Sequence, residues 1–260
     1  MNHTCEVSGM ALKEKMQMIG NWLFRWRSYP PLLVLGLALV GMRDFSYLGN
    51  SHTWDLVWEG FCLAVSFFGL GVRSFVIGYV PEGTSGRNTL MQKARSLNVT
   101  GFYSVVRHPL YLGNFFIWLG ISLYVQNWLI SVTCMLIFWL YYERITFDEE
   151  EFLRETFGEK FEKWADTTPC FFPDFRKWAS PERAFSWKKV LKDECSGFFA
   201  IIATFTFLEV VGDLIVKRKL IFDGVWCLIF LMGVSAYLIL RTLKKKGVLE
   251  MPQHVRGEGM

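Results

Sequence analysis

Two polar clusters hold the side chains of this chain best suited to chemistry. The first reads Arg107-His108-Pro109-Leu110-Tyr111-Leu112-Gly113, and the second runs from Arg144 to Gly158 around the acidic block Asp148-Glu149-Glu150-Glu151. Pro109 suits the first turn of a helix, where its missing N–H costs nothing. The free N–H groups of such a turn, at the positive end of the helix dipole, seat a carboxylate or phosphate. Tyr111 adds a hydroxyl and a ring, and Gly113 lets a ligand approach the backbone. The acids suit an ammonium, a sulfonium or ribose hydroxyls. Taken together, the clusters fit an amino-acid-like ligand end to end. Each also has a plainer account, an interfacial Arg-His-Tyr anchor and a solvated helix start.

The clusters stand at the two feet of one apolar hairpin. Phe115 to Val125 and Trp128 to Tyr142 are separated by Gln126-Asn127. A membrane span takes about 20 residues, so two of them return the chain to the side it left. The whole chain is 52% hydrophobic and 17% aromatic with 20% charged residues, its mean hydropathy is +0.26, and its apolar residues are bunched. This composition predicts an all-α, polytopic integral membrane protein with about six transmembrane helices, and the two polar feet add a core expected to bind a cofactor on the cytoplasmic side. The spans read as Pro31–Leu48, Leu56–Val80, Leu110–Val125, Trp128–Phe147, Phe198–Val216 and Ile221–Leu240. No cleavable secretory signal is visible in the first 30 residues.

Around the spans the chain divides into an amphipathic interfacial segment (1–30), a first transmembrane hairpin (31–80) and a core of loop, hairpin and acidic helix (81–175). A linker (176–197), a further hairpin (198–243) and a tail (244–260) follow. Leu12, Met16, Ile19, Trp22, Leu23 and Trp26 recur at helical spacing, as in a helix lying in the interface. Basic residues mark the cytoplasmic side. Lys13, Lys15, Arg25 and Arg27, then Arg87, Lys93, Arg95 and Arg107, and finally Lys244-Lys245-Lys246 all fall there if both termini are cytoplasmic. Lys217-Arg218-Lys219 dissent. A membrane lipid rather than a nucleic acid is the expected partner, and the oligomeric state stays open.

Six scattered cysteines, with no C-x-x-C pair, predict neither a disulfide frame nor a metal site. Of the charges inside spans, Arg73 reads as a snorkelling side chain or a headgroup contact. Glu209, Asp213 and Lys217 stack on one helix face at spacings of four and read as mutually paired.

The stretch from Gly101 to Pro173, GFYSVVRHPLYLGN…EEEFLRETFGEKFEKW…PCFFP, resembles the C-terminal core of the membrane methyltransferases. That group holds the isoprenylcysteine carboxyl methyltransferases and the phospholipid N-methyltransferases. Several spaced elements agree in order over less than a third of the chain. The resemblance implies S-adenosylmethionine bound by Tyr103, His108, Pro109, Leu110 and Tyr111, and by Glu149 with Glu150 from the other helix. Leu97 and Asn98 fall in an upstream strip that also touches the cofactor. Arg144 resembles, one position displaced, an arginine beside the substrate. Phe161 and Trp164 depart from the family's usual tyrosines.

Methyl transfer is a displacement at a sulfonium methyl, which needs alignment and exclusion of water. Arg144 would hold an oxygen nucleophile, and His108 or a spare carboxylate would take the proton of an amine. The lack of a dedicated base leans towards an oxygen nucleophile on a lipid or lipid-linked group. Two other classes compete. A sterol-type reductase using a nicotinamide cofactor shares an R-H-P-x-Y-L-G stretch, but resembling enzymes carry an acid where this chain has Asn114. A non-catalytic scaffold would bind no cofactor.

Overall fold

The computed structural model describes residues 12–26, 29–81, 96–220 and 222–249. Most of the loop expected over 81–98, with Arg87, Lys93 and Arg95, lies outside the described residues, as do Cys5 and Arg27. The described chain is helical: α1 (Leu12–Arg25), α2 (Pro30–Gly41), α3 (His52–Tyr79), α4 (Pro109–Tyr124), α5 (Trp128–Phe157), α6 (Glu159–Thr167), α7 (Trp187–Lys217) and α8 (Gly224–Lys245). Pro30 and Pro31 open α2 and Pro109 opens α4. Side-chain caps start three of the others. Asn127 accepts from the N–H groups of Leu129 and Ile130, Ser186 from Lys189, and Asp223 from Val225 and Trp226.

Helices α3, α5, α7 and α8 are long and apolar enough to cross a membrane. Helix α4 has 16 residues, about 24 Å at 1.5 Å per residue. This is an all-α membrane protein, as composition predicts. The first expected span is shorter than Pro31–Leu48. Helix α2 stops at Gly41 after 12 residues, because the polar pair Arg43-Asp44 follows in a tight turn over Met42–Asp44. It forms no hairpin with α3 and packs instead on α4 and α5. The expected linker 176–197 is also corrected: its last eleven residues already belong to α7, which begins at Trp187.

The tightest packing joins α3 to α4. A Cβ on Gly69 would strike the Gly113 carbonyl, and one on Gly113 would lie 2.7 Å from the Gly69 carbonyl. At Gly120 it would strike the Ser66 hydroxyl and lie 2.5 Å from the Cys62 carbonyl. Ser66 Oγ donates to the Ile117 carbonyl at 3.1 Å. Small residues allow such approach where lipid gives no hydrophobic drive. Around this seam Ala38, Cys62, Trp118, Tyr124, Cys134 and Phe205 form a buried core.

Polar side chains gather at both ends of the bundle. At the end away from His108, Tyr124 Oη lies 3.0 Å from Glu59 Oε1 and 2.8 Å from Glu209 Oε2. Trp226 Nε1 donates to Glu59 Oε2 at 3.0 Å. Asp213 pairs with Lys217 at 2.7 Å and accepts from Tyr47 at 2.6 Å. Mutual pairing along α7 therefore holds for Asp213 and Lys217, whereas Glu209 turns to Tyr124 of α4.

The seam is testable. Replacing Gly120 by valine should cost about 1–3 kcal/mol through overpacking and lower the thermal midpoint in detergent. Gly36, whose Cβ position is open, should accept alanine with no loss and a small gain in helix stability. Equal midpoints for both variants would show that α3 and α4 are not held by this contact.

Candidate functional site

The two polar clusters meet. His108 is the N-cap residue of α4 and is buried. Its Nε2 lies 2.9 Å from Glu150 Oε1 and its Nδ1 3.6 Å from Glu149 Oε2. Tyr111, one turn on, donates to Glu149 Oε1 at 2.6 Å, and its ring stacks on His108 at 5.7 Å. Arg107 donates to Glu150 Oε2 at 3.1 Å. Burial opposes a charge on His108, but hydrogen bonds to Cys170, Glu149 and Glu150, with the Glu149 charge, outweigh it. Its pKa stands well above the ordinary 6.5. Burial, aided by the Glu149 carboxylate, pushes the Tyr103 phenol above its ordinary value.

Neighbouring turns hold these groups in place. Arg107 N–H donates to the Pro169 carbonyl at 2.9 Å, and Asp174 N–H to the Val105 carbonyl at 2.9 Å. The segment after α6 is thereby stitched beside the start of α4. Trp164 Nε1 donates to the Tyr103 carbonyl at 3.0 Å, so the departure from tyrosine there keeps a polar tie. Phe161 is fully buried. Pro109 is buried at the first position of α4 and Leu110 is half-buried beside it.

From this cluster an apolar cavity of about 1010 Å³ runs along the α4–α5 hairpin. His108 and Tyr111 line one end and Gln126, Asn127 and Trp128 the other, with Phe115, Leu119, Met135 and Phe138 between. Phe171, Phe172 and Pro173 lie against it, and the Phe171 ring packs on Trp139 in a tilted contact at 4.8 Å.

The other residues singled out by sequence are placed differently. Arg144 stands two residues after Tyr142, about 200° around α5 from it, and its backbone carbonyl faces Gly20 of α1. Tyr142 packs on Tyr111 at 4.5 Å, so Arg144 lies on the face turned away, and among the described residues it has no ion pair with the cluster. Leu97 is buried and Asn98 half-buried; neither hydrogen-bonds to the cluster among the described residues. Besides Arg107, the cation linked towards the cluster is Arg73. Its Nη1 donates to Asn114 Oδ1 at 2.8 Å, and Asn114 Nδ2 donates to the Tyr142 hydroxyl at 2.8 Å. Arg73 does not snorkel freely: it grips Glu194 of α7 through Nη2 at 2.7 Å and Nε at 3.2 Å. Glu194 and Cys170 were both invisible as site neighbours in the sequence, since each lies far along the chain from its partner.

The hairpin, its His108 foot and its acidic foot coincide with a family match: residues 60–160 match the model of the phospholipid methyltransferases. The match takes in the hairpin and both of its feet, and less than half of the chain. A cobalt-zinc-cadmium resistance protein of Cupriavidus metallidurans is 32% identical over 130 residues, 49% of this chain and 57% of that protein. A nickel-cobalt-cadmium resistance protein of Alcaligenes xylosoxydans is 33% identical over 127 residues, covering 48% and 56%. A protein-S-isoprenylcysteine O-methyltransferase of Schizosaccharomyces pombe is 30% identical over 114 residues, covering 42% and 48%. The chain spans about half the length of these relatives. No solved structure matches it.

Helix α7 lies beyond the family match yet supplies the carboxylate that holds Arg73. Substituting Glu194 by alanine should therefore strand a mostly buried guanidinium and cost about 3 kcal/mol. Arg73→Met with Glu194→Met should recover much of the loss. A double-mutant cycle on thermal unfolding checks this, and additive losses would mean the pair carries no coupling.

Proposed function

We propose that this chain is a methyltransferase that moves the methyl group of S-adenosylmethionine to a lipid or lipid-linked acceptor. The observation that carries this reading is the continuous apolar cavity ending at His108 and Tyr111, beside carboxylates suited to a cationic ligand. An acyl or prenyl chain lying along α4 and α5 would bring its polar end to that foot.

The residues present fit the cofactor. Arg107 Nε is buried without a hydrogen-bond partner among the described residues, a spare donor for a carboxylate. The start of α4 adds little to it, because Pro109 has no N–H and the Tyr111 and Leu112 amides already donate to the His108 carbonyl at 3.1 and 3.2 Å. Glu149 and Glu150 keep lone pairs beyond those used by Tyr111, His108 and Arg107, and they would take the ammonium. Tyr103, Pro109, Leu110 and Tyr111 would wall the ligand, with Leu97 and Asn98 at its outer edge. When bound, S-adenosylmethionine supplies an electrophilic methyl group on sulfur.

The chain's own residues would orient the acceptor and keep water out. His108 stands at the join of cavity and acids, where its raised pKa keeps it charged and able to hold an anionic acceptor, which again favours an oxygen nucleophile. Arg144 would have to reach round α5 to take part, which favours His108 as the residue at the acceptor. The name of the Schizosaccharomyces pombe relative, a protein-S-isoprenylcysteine O-methyltransferase, supports a lipid-linked oxygen nucleophile. The basic residues flanking the spans support a cytoplasmic side for this foot and for both termini. The family match gives the reductase alternative no support.

Calorimetry on the detergent-purified protein tests cofactor binding. Wild type should bind S-adenosylmethionine, and Glu149→Ala and His108→Ala should each weaken binding by at least about tenfold. Met135→Trp, which narrows the cavity midway, should keep cofactor binding while reducing labelled-methyl transfer into membrane lipid by about tenfold or more. Binding of a nicotinamide dinucleotide in place of S-adenosylmethionine would overturn the reading.

A further inference from the structure

Three ligand atoms of different chemistry converge beside the α4 start. His108 Nε2, Glu150 Oε1 and Cys170 Sγ all lie within 4.8 Å of one another. The imidazole nitrogen is 2.9 Å from the carboxylate oxygen, and the sulfur is 3.5 Å from that oxygen. Around a tetrahedral zinc ion, with bonds of about 2.0–2.3 Å, ligand atoms stand roughly 3.3–3.7 Å apart. Moves of about 1 Å would bring all three to such spacing. From this geometry we infer that His108, Glu150 and Cys170 form a binding site for a thiophilic divalent cation of the Zn²⁺, Cd²⁺ or Co²⁺ class.

The surroundings suit such an ion. A thiolate and an imidazole select borderline and soft metals, and the carboxylate completes a three-ligand set with one position open. One thiolate and one carboxylate balance the charge of a divalent cation. The ion would replace the proton between His108 and Glu150, and the Cys170 thiol would lose its proton to solvent. Outer partners are in place. His108 turns Nδ1 towards Glu149 at 3.6 Å, the carboxylate–imidazole arrangement that orients a metal-bound histidine. Glu150 keeps its second oxygen on Arg107 at 3.1 Å, leaving Oε1 for the ion.

The ligands come from three separate segments, yet their positions are coupled. The backbone bonds from Arg107 to Pro169 and from Asp174 to Val105 clamp the Cys170 segment to the strip that leads into His108. Cys170 is half-buried, whereas Cys62, Cys134 and Cys195 are buried among helices. Two of the three ligands are also assigned above to S-adenosylmethionine, but metal binding stands without that assignment.

Cobalt titration of the full-length, detergent-purified protein tests the site. Wild type should bind one Co²⁺ with a thiolate-to-cobalt charge-transfer band and the visible absorption of a tetrahedral ion, both abolished by Zn²⁺. Cys170→Ser should lose the charge-transfer band, and His108→Ala should weaken Zn²⁺ competition at least tenfold. Cys227→Ser should behave as wild type. Circular dichroism and gel filtration would check that each variant is folded. A folded wild type without the cobalt spectrum, or a spectrum unchanged by Cys170→Ser, would refute the site. Because His108 and Glu150 are shared with the S-adenosylmethionine site proposed above, calorimetry on the metal-free protein reads cofactor binding separately, and either result of the cobalt titration can stand with either result there.

Discussion

Everything at the His108 foot depends on how closely α3 and α4 approach each other. With no water to squeeze out between helices in lipid, their association rests on contact and on shared hydrogen bonds. Gly69, Gly113 and Gly120 remove the side chains that would hold the backbones apart. The same approach lays Arg73 of α3 across Gly113 and onto Asn114. From Asn114 a hydrogen bond reaches Tyr142 of α5, and Tyr142 packs on Tyr111. Backbone proximity in the seam is thus passed as side-chain order to the polar foot.

The helices beyond the family core are tied in at both ends. Glu194 holds Arg73 at one end, and Glu209 meets Tyr124 at the other, where Trp226 of α8 reaches Glu59. Charged and polar side chains inside a membrane are costly unless paired. These are paired across helices distant in sequence, so the cost of exposing them opposes any detachment of α7 and α8. The final hairpin is built into the core rather than leaning on it.

What could be read from the sequence divides along a physical line. The helical class, the hairpin and the meeting of its two feet follow from local hydropathy, Pro109 and the polar runs. Local signals carry the His108–Tyr111 cluster and Glu149-Glu150, and the structure brings them into contact. They fail where a partner is remote. Glu194 lies 121 residues after Arg73, and nothing in its heptad marks it as a counterion. Cys170 meets Glu150 at 3.5 Å from 20 residues further along the chain, and nothing local marks it as a neighbour of the cluster. Arg144 is adjacent in sequence to the acidic run, yet helical phase carries it to the other side of α5. Helix α2 ends at Gly41, short of the expected Leu48, because apolar residues around Arg43-Asp44 mask in the sequence a break that the charges impose.

Helix α5 carries both the cavity wall and the acids on one uninterrupted rod of 30 residues. At 1.5 Å per residue it is about 45 Å long, and Glu149 stands about 32 Å from Trp128. The hydrocarbon of a typical bilayer is about 30 Å thick. The rod therefore acts as a depth gauge: with Trp128 at one interface, its carboxylates emerge at the opposite one. A thicker bilayer would draw those acids down among the acyl chains, and a thinner one would lift them clear of the surface. The depth of that foot becomes, through simple length, sensitive to the membrane in which the protein resides.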